Sequence, residues 1–250
     1  MKRAIPFFLF ISLVMAWVAG YSPAATAEPT PILIPSVQDA IPKLHWFGTS
    51  AILYNGSKVL YFDPISLGGN LPKADIILVT HAHSDHWSLA DVKKIIGPNT
   101  TLIVSPWCAS NYEAAKSDLG IPDIVLAEGQ TTEVNGISIQ AVPAYGSAYG
   151  KNHPREAGGA GYIVSIDGIR LYEAGGTDAY PDMAKSNCDI AFINLNSMGQ
   201  NKAMAEIIPA KVIIFVHTSS IGAKAVADLF NQSIGGGKIF MAMEAGPNNP

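Results

Sequence analysis

The sequence predicts an α/β chain in which two β-sheets pack face to face with helices outside. Three observations predict this. Asn55-Gly56, Asn135-Gly136 and Asp167-Gly168 each lie between alternating β-rich runs, a strong hairpin signal. Continuous apolar runs at 76–79, 102–104, 190–193, 212–216 and 239–241 read as strands buried on both faces. One unit also occurs twice. A hairpin leads to Asp63-Pro64 and then Ala74-Asp75-Ile76; a second hairpin leads to Gly175-Gly176 and then Cys188-Asp189-Ile190.

The elements follow in order. Residues 28–42 carry four prolines and read as an extended lead-in, with a single domain over 43–250. Ser88-Leu89-Ala90-Asp91 resembles a capping box opening a helix that Gly97-Pro98 stops. Further helices are expected over 111–119, ending at Gly120, over 202–208, ending at Pro209, and over 223–230, before Gly235-Gly236-Gly237. Trp46, Phe47, Tyr61 and Phe62 are expected in the core, and Trp87 either walls a pocket or begins a buried helix face.

Composition excludes several function classes. With 48% hydrophobic and 14% charged residues the chain is not disordered. Lys+Arg 16 against Asp+Glu 20, a net charge of −4, leaves no basic surplus for nucleic acid, so a small-molecule substrate is expected. Two cysteines make neither a disulfide scaffold nor a Cys-only zinc site. Cys108 and Cys188 fall at the ends of strands in different halves and are expected to be free and buried.

Residues 1–27 read as a secretory signal peptide: Met1-Lys2-Arg3, an apolar stretch to Gly20, then Ala25-Thr26-Ala27. Cleavage after Ala27 is expected, giving a periplasmic or secreted protein with no stable membrane insertion afterwards. An uncleaved anchor is the competing reading. Nothing in the sequence specifies an oligomeric state.

The chemistry lies in the histidines. Thr80-His81-Ala82-His83-Ser84-Asp85-His86 follows a buried strand directly. Imidazole nitrogens and a carboxylate are the ligands of a borderline cation such as Zn2+. His81 and His83, spaced by two, point the same way in extended backbone and can share one ion. Asp85 and His86, past the turn, can reach a second. The bland alternative is a surface histidine cluster without metal. His153 lies in a glycine-rich loop and His217 ends an apolar strand, a position where α/β sites gather. His45, at the start of the first strand, reads as structural.

These residues resemble the metallo-β-lactamase superfamily of binuclear hydrolases, over nearly all of residues 28–250. Trp46-Phe47-Gly48-Thr49-Ser50, Phe62-Asp63-Pro64, Val142-Pro143-Ala144-Tyr145 and His153-Pro154 are most similar to its lactonase- and phosphodiesterase-like branch. The strict β-lactamases are a weaker match. The resemblance implies a four-layer αββα sandwich. It implies one metal on His81, His83 and His153, and a second on Asp85, His86 and His217. It also implies a water activated between them, with Asp85 as the catalytic group that orients it or takes its proton. The expected activity is hydrolysis of an ester, lactone or phosphodiester, with Zn2+, one or two per chain, or else Mn2+ or Fe. Asp63 is expected to hydrogen-bond a ligand histidine from behind.

The chain departs from the family at one important place. Relatives carry Gly-Asp-Thr after the second hairpin, and the Asp bridges both metals; here Gly176 occupies that position. Glu173, where relatives often carry His, and Asp178 are candidate substitutes, and Asp178 is a candidate metal ligand. Thr49 replaces the family's first-strand His. A tight first site and a weaker second follow. Gly176 also supports an alternative reading as a divergent non-catalytic member that binds metal or ligand. Lys151 and Arg155, flanking His153, are either contacts for an anionic substrate or solvated loop charges.

Overall fold

The computed structural model describes residues 33–147, 152–234 and 236–246. The segment expected to be a signal peptide, the cleavage site expected after Ala27 and Lys151 lie outside these residues. Of the two units into which the chain divides, the second, residues 31–250, carries all the described elements.

The first sheet contains β1 (Leu44–Trp46), β2 (Ile52–Asn55), β3 (Val59–Phe62), β4 (Ile76–Val79), β5 (Thr101–Val104) and β6 (Asp123–Val125) in that order. The second contains β7 (Thr131–Val134), β8 (Ile137–Pro143), β9 (Ala160–Ile166), β10 (Ile169–Glu173), β11 (Ile190–Asn194), β12 (Val212–Val216) and β13 (Ile239–Ala242), again side by side in chain order. In both, antiparallel hairpins give way to parallel strands: β3 pairs parallel with β4, and β10 with β11. Crossovers carry helices α2 (Leu89–Ile95) and α3 (Ala109–Leu119) in the first half, and α4 (Met198–Ile207) and α5 (Ser220–Ser233) in the second.

The repeat has a physical basis. Asp75 and Asp189, each just before a parallel strand, accept a hydrogen bond from the backbone N–H that starts the neighbouring strand. Val59 donates to Asp75 and Arg170 to Asp189, each at 2.8 Å. Both Asp backbones return the bond to the same residue, at 2.9 Å. One carboxylate thus sets the register of hairpin against crossover strand in each half.

Three apolar clusters define the four layers. One lies between the sheets, where Phe62 meets Phe192 with ring centroids 6.2 Å apart. One lies under α4 and α5 against the second sheet, and one under α2 and α3 against the first. The expected αββα sandwich is the observed fold. Cys108 and Cys188 are free, buried and in different outer clusters. Burial pushes their thiols up to about 12 and about 11.

Two expectations are corrected. The described part of the lead-in is not all extended: Pro35–Ala40 is a short helix, α1, continued by a 3-10 turn over Ile41–Lys43. Pro35 sits at the helix start, where its fixed φ suits the first turn and its missing N–H costs nothing. Val37 and Ala40 then enter the core between the sheets. The helices also begin earlier than expected. Ser197 and Ser219 cap α4 and α5 by accepting from Gln200 and Gly222 N–H. A glycine in each first turn, Gly199 and Gly222, hid both starts. Ser88 caps α2 as expected, accepting from Asp91 N–H, and Gly120 ends α3 in the left-handed conformation.

Candidate metal centre

The hairpin turns lie at one end of the sheets, and the chemistry gathers at the other. A groove of about 620 Å3 runs among the turns at Ser57, Asn135 and Gly168 and has no histidine in its lining. At the opposite edge, β4 delivers His81, His83, Asp85 and His86, β12 delivers His217, and the connection from β8 to β9 delivers His153.

Ligand atoms of His81, His83 and His153 lie within 4.8 Å of one another, as do those of Asp85, His86 and His217. The structure therefore brings together both sets named above. The His81 ring stands 4.8 Å from those of His83 and His153 and 3.9 Å from that of His86, and His86 stacks on His217 at 5.2 Å.

Asp63 stands behind both sets. It is fully buried and accepts from Thr80 N–H at 2.7 Å, Thr80 Oγ1–H at 2.6 Å and His86 Nδ1 at 2.6 Å. Thr80 spends its hydroxyl proton on Asp63, so it accepts from His81 Nδ1, 2.9 Å away. This chain fixes the tautomers: His81 and His86 carry their protons on Nδ1 and turn Nε2 lone pairs toward the site. Asp63 also lies within ligand distance of His81 and His86, but its oxygens are committed to these bonds, so it orients ligands rather than joining them.

The site fits a cation. His81 Nε2 is buried without a hydrogen-bond partner among the described residues. A neutral imidazole nitrogen so placed, beside other nitrogen ligands, is what a divalent ion requires.

The second half of the site is anchored to the first through backbone. His217 adopts φ 61, and its N–H donates to Thr49 O at 2.6 Å; Trp46 Nε1 donates to the same carbonyl at 2.9 Å. Ser50 Oγ donates to Asp85 O at 2.6 Å. Thr49 thus serves the site through its carbonyl. His217 Nε2 lies 3.2 Å from Asp85 Oδ2.

The two substitutes for a bridging carboxylate do not reach either set. Asp178 Oδ2 accepts from Ser147 N–H at 2.9 Å and its Oδ1 from Asn196 Nδ2 at 2.7 Å, so its expected role as a ligand is corrected. Glu173 is fully buried at the end of β10, and its Oε1 accepts from Gly175 N–H at 3.1 Å. Burial foremost, then the charge of Asp63, pushes its carboxyl well above the usual range. Arg155 forks onto Glu128 and lies over the Tyr145 ring, which commits it to loop structure. Trp87 packs into the cluster under α2, and His45 pairs across β1 and β2 away from the site.

The model of the beta-lactamase superfamily domain matches residues 39–240. The chain belongs to this superfamily. Among its relatives are UPF0173 metal-dependent hydrolases. That of Thermococcus kodakarensis is 35% identical over 191 residues, 68% of this chain and 82% of that one. That of Methanoculleus marisnigri is 30% identical over 196 residues, 72% and 83%. A candidate metal-dependent hydrolase from Parabacteroides distasonis superposes with a TM-score of 0.63 at 25% identity, covering 81% of this chain and 93% of that one. The Zn2+-bound PqqB of Methylobacterium extorquens shares the fold, with TM-score 0.58 and 16% identity over 80% and 86%. This superfamily member is a metal-dependent hydrolase.

One wall of the superfamily site had no signal in the sequence. Trp107, on the 3-10 turn Pro106–Cys108 after β5, lies 5.5, 5.0 and 5.8 Å from the rings of His81, His83 and His153. A strand-end position was the only clue. Loading Zn2+ is expected to change the indole emission, and Trp107→Phe should remove most of that change while Trp46→Phe leaves it. An equal response in the Trp107→Phe protein contradicts this placement.

Acid sensitivity follows from the same crowding. Burial, then the nearby histidines, holds His81 well below the usual imidazole range. Burial and His86 lower His217 against the opposing pull of Asp85. Both rings stay neutral in the folded chain at pH values where the unfolded chain binds protons. Stability of the metal-free protein is therefore complete above about 6.5 and is lost as pH falls through and below that value. Melting curves of metal-free protein should show Tm falling from about pH 6.5 downward, and a flat Tm to about pH 5 counts against it.

Proposed function

We propose that this superfamily member is an exported hydrolase that cleaves an ester, lactone or phosphodiester, using cations held by His81, His83 and His153 and by Asp85, His86 and His217. The observation that supports it is the convergence of six ligand side chains from both sheets on one strand edge, with Asp63 and Thr80 fixing the tautomers behind them. Zn2+ is the first choice for an imidazole-rich site, with Mn2+ or Fe as alternatives. When bound, the metal supplies Lewis-acid polarisation of the substrate oxygen and lowers the pKa of the attacking water.

The side chains divide the remaining work. Asp85, its backbone held by Ser50 and its carboxylate beside His217 Nε2, is placed to accept the proton of the attacking water and return it to the leaving oxygen. Trp107 walls one side of the first ligand set. The overall negative charge and the absence of a basic surplus suit a small molecule rather than nucleic acid.

The test is a panel of aryl esters, lactones and phosphodiesters, assayed after metal removal and after return of Zn2+, Mn2+ or Fe2+. Turnover of at least one class is expected, abolished by chelation and restored by metal. No turnover with a fully loaded protein would instead support the non-catalytic reading. Export is tested separately. The mature protein in the periplasm or medium should begin at Glu28, and retention of Met1 in a membrane fraction would overturn it.

A further inference from the structure

His153 is the one ligand of the first set carried on a long connection, residues 144–159 between β8 and β9. A metal ligand has to stay within about 0.5 Å of its working position, so a loop that carries one needs a rigid support. Backbone supplies the first part of it. Gly146 N–H donates to His153 O at 2.9 Å and His153 N–H to Gly146 O at 2.8 Å, one rung of antiparallel ladder. That rung holds His153 only as firmly as Gly146 is held.

Thr177 and Asp178, past the end of β10, anchor both neighbours of Gly146. Tyr145 N–H donates to Thr177 Oγ1 at 3.3 Å, and Asp178 N–H donates to Tyr145 O at 2.9 Å. On the other side, Asp178 Oδ2 accepts from Ser147 N–H at 2.9 Å and from Ser147 Oγ at 3.3 Å. Gly146 lies against the same side chain at φ 140, where an added Cβ would stand 2.8 Å from Asp178 Cβ. The other carboxylate oxygen reaches a helix. Asp178 Oδ1 accepts from Asn196 Nδ2 at 2.7 Å, and Asn196 N–H donates to Oδ1 of Asn201, fully buried in α4. Ala179 N–H adds a bond to Gln200 Oε1 on that helix at 2.9 Å. Met204 and Ala205 pack α4 into the cluster on the second sheet.

We propose that Asp178 is a positioning residue for His153: its carboxylate ties the segment that pairs with the ligand to the start of α4. The linkage needs two acceptor oxygens at once, one for Ser147 and one for Asn196. Removing them leaves two donors without their acceptor and lets the Gly146–His153 rung shift. None of these bonds involves Asp85, His86 or His217, so the effect falls on the first ligand set. The inference rests on His81, His83 and His153 holding a cation, and on no particular substrate.

The experiment measures Zn2+ affinity of the full chain by chelator competition, with bound metal per chain, circular dichroism and melting as parallel readouts. Asp178→Ala is expected to bind Zn2+ about tenfold more weakly or worse while remaining folded. Asp178→Asn keeps the shape but offers one acceptor oxygen instead of two, so its affinity should lie between. The deciding comparison is made on a His153→Ala background. There Asp178→Ala should change the remaining affinity by less than about twofold, because the ring it positions is gone. Parent-like affinity in Asp178→Ala overturns the inference. An equal further loss on the His153→Ala background also overturns it, since Asp178 would then support the fold at large. If Asp178→Ala fails to fold, Asp178→Asn on the two backgrounds decides by the same pair of results. Absent turnover with this affinity pattern intact would remove the substrate reading and leave the positioning role standing.

Discussion

Replacing Asp63 with alanine is expected to strip the metal and destabilise the fold together. The carboxyl is inaccessible to solvent and holds Thr80 N–H, Thr80 Oγ1 and His86 Nδ1 at 2.6–2.7 Å. Removing it leaves those buried groups without a partner and frees the tautomers of two ligand histidines. Breaking one side of such a buried network costs about 3–5 kcal/mol, and loss of a group behind a ligand histidine costs roughly 10–100-fold in metal affinity. Asp63 also has φ 44, which alanine tolerates poorly. Asp63→Asn separates the effects, since asparagine tolerates that angle and keeps the shape. It should recover part of the stability but less of the affinity, because its amide nitrogen cannot accept from His86. Denaturant melts and Zn2+ competition on both variants provide the check. Affinity unchanged in Asp63→Ala would reduce Asp63 to a packing role.

Asp85→Asn is expected to produce the largest loss of rate with little loss of fold. Asp85 is only partly buried, and the bond it receives from Ser50 is to its backbone oxygen, which asparagine retains. What disappears is the proton acceptor and one ligand oxygen of the second set. General-base removal costs about 10²–10⁴ in kcat. The substrate that turns over in the panel supplies the assay, with kcat and KM measured separately across pH. The acidic limb of the rate profile should vanish with the carboxylate. A kcat within about tenfold of the parent, at full metal loading, assigns the base elsewhere.

Local signals account for most of the fold and for much of the site. The three hairpin turns, the buried strands and the capping box at Ser88 are read within a few residues, and those elements are all present. The same holds for His81, His83, Asp85 and His86, which a single turn delivers to the edge of β4. His153 stood out by its glycine-rich loop and His217 by its strand end, but only the resemblance joined them to a shared centre. Other features have no local signature. Thr49 acts through a carbonyl, which every residue has. Trp107 reaches the site because β5 lies beside β4. Asp178 was assigned inward on proximity in sequence, yet its oxygens brace Ser147 and Asn196. The Pro-rich lead-in failed for another reason, since proline breaks helices in their interior but favours their first turn.

The division of ligands between the sheets sets the order in which the chain can acquire its ion. His81, His83, Asp85 and His86 emerge early in synthesis, but the second set waits for His217, whose N–H seats on Thr49 only after the last parallel strands have formed. Until then no complete second position exists, and the first lacks His153 until β9 pairs with β8. A complete metal position is therefore a property of the assembled sheets, and an ion that binds there stabilises the pairing of segments far apart in the chain.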